Sequence, residues 1–325
     1  MRIDPALAAL VADPGPLISE SARAQAWRRD PETTRLRVEL SAYGSGARLD
    51  TCPTLRALAS DRAEARRLAM QAIGALPGVL AAAPLTLWPD RHFTNGVLHS
   101  LTLVATGRAS LSLALVDGAA WRAQRDPAAP KVASFQPGEL HAIVLAGEAG
   151  AALIRNGSDD PDKARIEASA LRLDPGATYA CDGQRETVAL EAIPRFLMTL
   201  HLHRRAESTT PARQYDLSTG ALVGQAAGAQ RDSRAEMTMA LLRAMDRADA
   251  APVVAELALA GEPSARWQAL RECLALDSAT GFAALLRVAD SPDDPLREPA
   301  AALIATLTER FDEFARAREA ALCPA

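Results

Sequence analysis

The histidines are the side chains of this protein best suited to metal or acid–base chemistry, and all five lie in one stretch: His92, His99, His141, His201 and His203. Imidazole is the commonest side-chain ligand of transition metals, and its charge changes near neutral pH. A metal site requires such clustering. Which histidines can share a face depends on the strands that carry them.

The last two histidines alternate with leucines along the predicted strand 195–203. Since successive side chains of a strand point to opposite faces, Leu200 and Leu202 share one face while His201 and His203 share the other. The apolar face is expected to be buried. The sequence therefore predicts that these two histidines face solvent or a covering helix.

The other candidates share their predicted faces with apolar residues. His99 alternates in phase with Leu101, and Glu139 and His141 alternate in phase with Ile143. We therefore expect His99, Glu139 and His141 in the interior and take them as candidate ligands of one transition-metal ion. The alternative is that they are hydrogen-bonded structural residues.

A basic cluster follows the same strand. Arg204 and Arg205 come directly after His203, and Arg213 is nearby in sequence. Guanidinium groups bind carboxylates and phosphates well, so these three arginines are candidate ligand-binding residues. The alternative is a charged strand end that leads into an exposed loop.

Other catalytic signatures are absent from the sequence. It contains no G-x-S-x-G elbow, P-loop, H-E-x-x-H motif or paired-cysteine zinc motif. The four cysteines are widely spaced, which favours reduced thiols over a disulfide framework. Cys181 could act as a nucleophile only with a base beside it.

The histidines lie within a β-rich region that we place at residues 84–226. Short alternating segments are separated there by turn dipeptides, as in an antiparallel sandwich or small barrel. Segments 135–142 and 173–180 also share Pro, Gly and Ala at the same spacing. This similarity indicates either a duplicated strand–turn–strand unit or the chance recurrence of a common turn.

This β-rich region resembles the cupin superfamily of double-stranded β-helix (jelly-roll) proteins. His201, His203 and Glu207 match the H-x-H-x-x-x-E core of the first cupin motif. The resemblance implies a metal site of three histidines and one glutamate inside a barrel. However, Arg195 replaces the motif's glycine, the match comes at the end of the β region, and no histidine follows His203.

The standard cupin metal set is therefore incomplete in this chain. If the region has the cupin fold, a metal would need an unusual set of ligands, for which His99, Glu139 and His141 are the candidates.

Helical patterns lie on both sides of the β region. Residues 1–83 are predicted to be mainly helical, with one strand at 34–40 and a helix at 61–73 that begins with a capping box at Asp61. Residues 233–325 are predicted to form amphipathic helices, arranged as a bundle or as HEAT-like pairs. This domain is the candidate surface for a protein partner or for self-association.

Composition restricts the class of protein. The hydrophobic fraction of 49% and the charged fraction of 23% are typical of a soluble globular protein, and the length suits two or three domains. The net charge of -4 disfavours nucleic acid as a partner. Neither a secretory signal nor a membrane span is recognisable, so we expect a cytoplasmic protein, and the Ala- and Arg-rich composition suggests a bacterial source.

The sequence thus predicts an α+β protein with a helical N-terminal segment, a central cupin-like β-sandwich and a C-terminal α-helical domain. The first functional hypothesis is a bacterial binding, regulatory or scaffold protein with a small-molecule site in the β domain. The competing hypothesis is a metal-dependent oxygenase or isomerase that acts on a small polar molecule.

Overall fold

A computed structural model describes residues 29–74, 91–126, 129, 131–207 and 210–322. The part of the predicted helical segment before residue 29 lies outside these residues, as does stretch 85–88, where the sequence predicts the first strand of the β region. Within the described part, contacts divide the chain into two compact units, one containing residues up to 207 with 213–224, the other containing 210–212 and 225–322. The predicted domain boundaries stay a prediction.

The first unit combines helices with antiparallel strands. Its helices are α1 (Pro31–Gly44), α2 (Pro53–Ser60), α3 (Arg62–Ile73) and α4 (Gly118–Gln124), with a 3₁₀ turn at Leu49–Thr51. The strands of the β region are β1 (His92–Thr94), β2 (Leu98–Thr106), β3 (Ala109–Asp117), β4 (Val132–Phe135), β5 (Gly138–Gly147), β6 (Ala149–Asn156), β7 (Ile166–Leu173), β8 (Thr178–Asp182), β9 (Glu186–Ala192), β10 (Phe196–Arg205), β11 (Ala212–Asp216) and β12 (Leu222–Ala226).

The strand order is that of a jelly roll. One sheet has the order β1-β2-β3-β10-β5-β8, a second has β7-β6-β9, and a third has β12-β11-β4. Because β4 also lies against β9, strands β3 to β10 form two layers, β3-β10-β5-β8 and β4-β9-β6-β7. Eight antiparallel strands in this order form the double-sheet jelly roll, a class that includes the cupins. The predicted antiparallel β-sandwich is confirmed.

The predicted strand at 34–40 is wrong, because these residues belong to helix α1. Asp30 caps the helix by accepting hydrogen bonds from the backbone N–H groups of Glu32 and Thr33. Leu36, Leu40 and Tyr43 are fully buried, which is helical spacing. The intervening Val38, which completes the apparent alternation, is 66% exposed. Tertiary burial on one helix face therefore prevailed over the period-two pattern.

Helices α1 to α3 cover one face of the six-stranded sheet, here called its outer face. The hydrophobic core on this face joins Leu36 and Leu68 of the helices to Leu111, Ile143 and Leu200 of the strands. Helix α3 begins as predicted, since Asp61 accepts hydrogen bonds from the N–H groups of the first turn. The opposite, inner face of the same sheet is turned toward β4, β9, β6 and β7.

The second unit is helical. Its helices are α5 (Gln230–Ala244), α6 (Ala251–Leu257), α7 (Pro263–Leu276), α8 (Ser278–Asp290), α9 (Arg297–Arg310) and α10 (Asp312–Leu322), with a 3₁₀ turn at Ala248–Ala250. Successive helices pack on one another around Leu270, Cys273, Phe282 and Leu285. The apolar pattern predicts one final helix over 296–317, whereas the structure divides this stretch into two helices at Phe311.

Two other local predictions differ from the structure. The spacing of Ser233 and Glu236 predicts a capping box at the start of the second unit, but helix α5 begins earlier, at Gln230, so Ser233 does not cap it. Helix α4 is absent from the prediction, although Asp117 caps it with two hydrogen bonds to backbone N–H groups. None of the helices in the described residues combines the length and apolar character needed to cross a membrane.

Candidate functional site

The inner face of the six-stranded sheet carries His201 and His203. Their neighbours Leu200 and Leu202 belong to the helix-covered core, so the histidines point the opposite way, into the space between the two layers of the jelly roll. The prediction that they face solvent or a covering helix is wrong. Leu200 and Leu202 are buried as predicted, but the polar face of the strand is covered as well, by the second layer.

The space between the layers is apolar at one end and polar at the other. Val144, Leu173, Ile193 and Leu197 fill the apolar end. At the polar end lies a cavity of about 250 Å³, here called the inner cavity. It is lined by Ser134, Gln136, Gly138, Leu140, Cys181, Gly183, Glu186, Thr187, Val188 and His203.

His201 lies on the same face of β10 as His203 and is held as a neutral, hydrogen-bonded side chain. Burial, together with the neighbouring His203, lowers the pKa of His201 to about 4. Its Nε2 atom lies 2.9 Å from Thr199 Oγ1 and 3.5 Å from the hydroxyl oxygen of Tyr179. The hydrogen bond between Thr199 and His201 fixes the orientation of the ring.

His203 lines the cavity itself. Burial and the charge of Arg205 both lower the pKa of His203. At neutral pH the side chain therefore presents an uncharged imidazole, which can donate one hydrogen bond and accept another. This suits a polar ligand without requiring a negative charge on it.

Cys181 borders the same cavity but is not an activated nucleophile. The residue is only 4% exposed, and its burial, reinforced by the charge of Glu186, raises the pKa of the thiol to about 11. Reactive cysteines need a lowered pKa. The thiol is therefore protonated at neutral pH and contributes shape and a weak hydrogen-bonding group.

A second cavity, of about 360 Å³ and here called the outer cavity, lies at the edge of the same sheet. It is lined by Gly138, Glu139, His141, Ala180, Cys181, Asp182 and Glu186. Glu139 and His141 lie on the outer face of the sheet with Ile143, beyond the helix-covered core. The two side chains share one face of strand β5, as predicted, but this face points away from the interior of the jelly roll.

Glu139 belongs to a set of polar contacts between helix α1 and strand β10, here called the lock and formed by Tyr43, Glu139 and Arg204. Its Oε2 atom accepts a hydrogen bond of 3.0 Å from the Tyr43 hydroxyl and forms an ion pair with the Arg204 guanidinium. His141 Nε2 lies 3.4 Å from the other carboxylate oxygen. Although burial opposes it, the hydrogen bond from Tyr43 and the charge of Arg204 lower the pKa of Glu139.

Arg204 completes this lock at the C-terminal end of α1. Its guanidinium donates hydrogen bonds to the backbone oxygens of Tyr43 and Ala47, at 3.0 and 2.9 Å. It also lies over the Tyr43 ring, 4.3 Å from the ring centre. These contacts occupy Arg204 with the protein itself.

The predicted metal site is not assembled, because His99 lies far from Glu139 and His141. His99 is at the level of Met198 on β10, whereas Glu139 pairs with Arg204, six residues further along that strand. At about 3.3 Å per residue this separates them by roughly 20 Å, and ligands of one ion must lie within a few ångströms of each other. His99 instead contacts Thr94 Oγ1 through Nδ1 at 2.9 Å.

Within residues that the structure describes, no group of three or more His, Cys, Asp or Glu side chains has a geometry that could hold a metal ion. Glu139 is committed to Arg204 and Tyr43. The residues present therefore do not fit the predicted transition-metal ion.

The three arginines proposed as an anion site are also kept apart. Arg204 and Arg205 are adjacent on β10 and point to opposite faces of the sheet. Arg205 donates a hydrogen bond to the backbone oxygen of Gly107. Arg213 lies in a different sheet from these two, on β11, where it pairs with Phe135 of β4. None of the three lines either cavity.

Sequence reasoning missed most of the residues that line the inner cavity. Ser134, Gln136, Glu186 and Thr187 come from separate strands and turns, and nothing in their local patterns distinguishes them. A usable signal was the H-x-H pair at the end of β10, which marks polar side chains on a strand with two buried faces.

Comparison with known proteins identifies no family. No protein-family model matches the chain, and no curated protein matches its sequence. Among solved structures, the chain is similar to ectoine synthase from P. lautus, with 14% identity, a TM-score of 0.23 and coverage of 35% of this chain and 67% of the other.

Two further structures illustrate the range. DMSP lyase DddQ from Ruegeria pomeroyi DSS-3 has 18% identity and a TM-score of 0.24, covering 43% of this chain and 66% of its own. The Momordica charantia 7S globulin has 10% identity and a TM-score of 0.28, covering 41% and 36%. Similarity at this level carries no information about activity. The strand order itself gives the β region its resemblance to the cupin fold.

Proposed function

We propose that this protein is a binding protein for a small polar molecule, which occupies the inner cavity of the jelly roll. The observation that carries the proposal is the polar end of an otherwise apolar interior: a neutral His203 facing Thr187, Ser134 and Gln136 across the two layers. Small-molecule sites combine apolar walls with a few convergent polar groups. A purely structural sandwich would have filled this space with apolar side chains.

The helical unit is proposed to mediate self-association. Met237 and Leu241 on α5 and Met245 at its C-cap recur every four residues and are 71%, 59% and 55% exposed. Val253 on α6 is also exposed, at 66%. Apolar stripes of this kind are typical of interaction surfaces. A strictly monomeric mass by light scattering at high concentration would contradict this part of the proposal.

The competing hypothesis is a metal-dependent enzyme, with His99, Glu139 and His141 as ligands of one ion. No set of side chains in the described part of the chain favours it, so it serves as the alternative in the test. Metal analysis of freshly purified, untagged protein separates the two readings. About one equivalent of iron, manganese, nickel or zinc per chain would overturn the binding-protein proposal in favour of the enzyme.

Ligand binding is tested by thermal shift with a panel of polyols, amino alcohols, amino acids and hydroxy acids. Ligands that bind only the folded state raise the melting temperature. The diagnostic variant is His203→Phe, which removes the polar group of the cavity and narrows it. His99→Phe is the matched control, because it makes the same change on an exposed histidine of the same sheet.

We expect at least one compound to stabilise the wild-type protein and the His99→Phe variant but not the His203→Phe variant. If no compound stabilises the wild-type protein, or if all three proteins respond alike, the inner cavity is not a binding site.

A further inference from the structure

The inner and outer cavities are neighbours at one edge of the jelly roll. Both are lined by Gly138, Cys181 and Glu186. Strand β8 is the edge strand of its sheet, so no further strand separates the two cavities on that side. A molecule bound in the inner cavity is therefore adjacent to the outer one around the turn from β8 to β9.

The backbone is built tightly at this junction. Gly138 has a φ of +147°, and a Cβ atom there would lie 2.6 Å from the backbone oxygen of Arg204. Only glycine is accommodated without displacing the strand. The wall common to both cavities is thus formed by the Gly138 backbone with Cys181 and Glu186.

The outer cavity is lined by acidic side chains. Glu139, Asp182 and Glu186 border it, and among the described residues lining either cavity none is Lys or Arg. Two of these carboxylates form ion pairs with arginines that do not line the cavity, Glu139 with Arg204 and Glu186 with Arg155. The local field therefore disfavours anions.

Asp182 is the carboxylate available to a ligand. It accepts a hydrogen bond of 3.1 Å from the backbone N–H of Gln184 and makes no ion pair within the described part of the chain. Arg185, on the same turn, is directed to Asp159 instead. One oxygen of Asp182 and part of its charge remain unmatched.

An independent observation also points to a ligand at this junction. Cys181 is 4% exposed and lines both cavities, yet its thiol has no hydrogen-bond partner among the residues described. The other buried cysteines of the structure, Cys52 and Cys273, each contact a backbone oxygen through sulfur. A buried polar atom without a partner in a cavity wall is a group that a ligand can satisfy.

We infer that the outer cavity binds the ammonium group of a small organic amine whose uncharged polar part lies in the inner cavity. This inference rests on the proposed function and adds the chemical class of the ligand. An ammonium group supplies three N–H donors, one of which can bind the remaining oxygen of Asp182, and its positive charge is attracted by the carboxylates that line the cavity. A carboxylate or phosphate in the same position would meet only like charge.

The test uses matched series of compounds that differ at one end: ω-amino alcohols, the corresponding diols and the corresponding hydroxy acids, at several chain lengths. Isothermal titration calorimetry measures the dissociation constant of each for the wild-type protein. We expect an amino alcohol to bind at least about 10-fold more tightly than its diol, and the hydroxy acid to bind more weakly than either.

The Asp182→Asn variant removes the charge but keeps the oxygen that accepts from Gln184. It should weaken binding of the amine about 3- to 5-fold, the effect of one exposed ion pair, and leave binding of the diol unchanged. Asp160→Asn is the matched control, because Asp160 is also exposed and accepts from the backbone N–H two residues ahead. This control should bind both compounds like the wild-type protein.

The possible outcomes separate the inference from the proposed function. If diols bind and lose affinity in the His203→Phe variant, but amines have no advantage or Asp182→Asn leaves their affinity unchanged, the amine inference is overturned and the inner-cavity site stands. If no series binds the wild-type protein, both are overturned.

Discussion

Replacing Arg204 with alanine should destabilise the first unit by about 3 kcal/mol. The guanidinium is 23% exposed and makes an ion pair with Glu139, two hydrogen bonds to backbone oxygens of Tyr43 and Ala47, and a stacking contact with the Tyr43 ring. Charged hydrogen bonds contribute about 1.5–3 kcal/mol each when buried, and a cation–π contact about 0.5–1 kcal/mol. These contributions are not additive, and partial exposure reduces them.

The loss of Arg204 also leaves other groups without partners. Glu139 would keep its charge beside Tyr43 without the cation that offsets its burial, and the backbone oxygens at the end of α1 would lose their donor. Removing one partner of this half-buried pair leaves the other charge unpaired, which costs more than the pair itself contributes. This places the expected effect toward 3 kcal/mol, above the value for a surface salt bridge.

Arg205→Ala is the control, since it removes the same side chain from the next position on the opposite face. Among the described residues, the Arg205 side chain makes one hydrogen bond, to the backbone oxygen of Gly107, and it is exposed. We expect a change below about 1 kcal/mol. Urea unfolding followed by circular dichroism measures both, and hydrogen exchange by mass spectrometry shows whether α1 and α2 are selectively loosened.

Equal urea unfolding midpoints for the Arg204→Ala and Arg205→Ala variants would refute the stabilising role of Arg204. So would faster exchange spread evenly over both units, because the lock connects only α1 to the sheet. Arg204→Lys should recover part of the loss, since lysine retains the charge but not the paired donors.

Three further predictions follow from burial. Folding lowers the pKa of His201 from 6.5 to about 4, so the folded state favours the neutral ring. The resulting contribution to the free energy of unfolding, up to about 3 kcal/mol, is complete above pH 6.5 and is lost as the pH falls toward 4. Urea titrations between those values should show a shallower decline in the His201→Gln variant than in the wild-type protein. In the helical unit, Leu270→Ala should cost 2–5 kcal/mol because Leu270 is fully buried, whereas Leu241→Ala on the exposed stripe should change urea stability by less than about 0.5 kcal/mol. Alkylation of Cys181 by iodoacetamide at pH 8 should be at least about 100-fold slower in the folded chain than in urea, and comparable rates would show that the thiol is not buried as described.

The error in α1 shows how a local pattern can fit two structures. Leu36, Val38 and Leu40 alternate as in a strand, while Leu36, Leu40 and Tyr43 are spaced as on a helix. The preceding Asp30 and Pro31 form a helix start that favours the second reading. The period alone could not decide, because both readings place two leucines on the buried face.

The histidines show a different limit. The alternation along β10 correctly separated His201 and His203 from Leu200 and Leu202, and the same rule placed Glu139 with His141. It could not say which side of the sheet carries the helices and which carries the second layer. As a result, polar residues assigned to solvent line the interior, and residues assigned to the interior lie near the edge on the outer face.

Local rules acting over a few residues were therefore sufficient for several features of this protein: a β-rich region between helical segments, the alternating faces of its strands, the turn at Pro175-Gly176 and the amphipathic helices of the second unit. The tertiary structure decided the rest. Strands β4 and β5 meet strands β8, β9 and β10 at the two cavities although β6 and β7 lie between them in sequence, and His99 is far from Glu139 although both lie in one sheet. Strand register and layer order depend on the free energy of the whole core, which no short segment encodes.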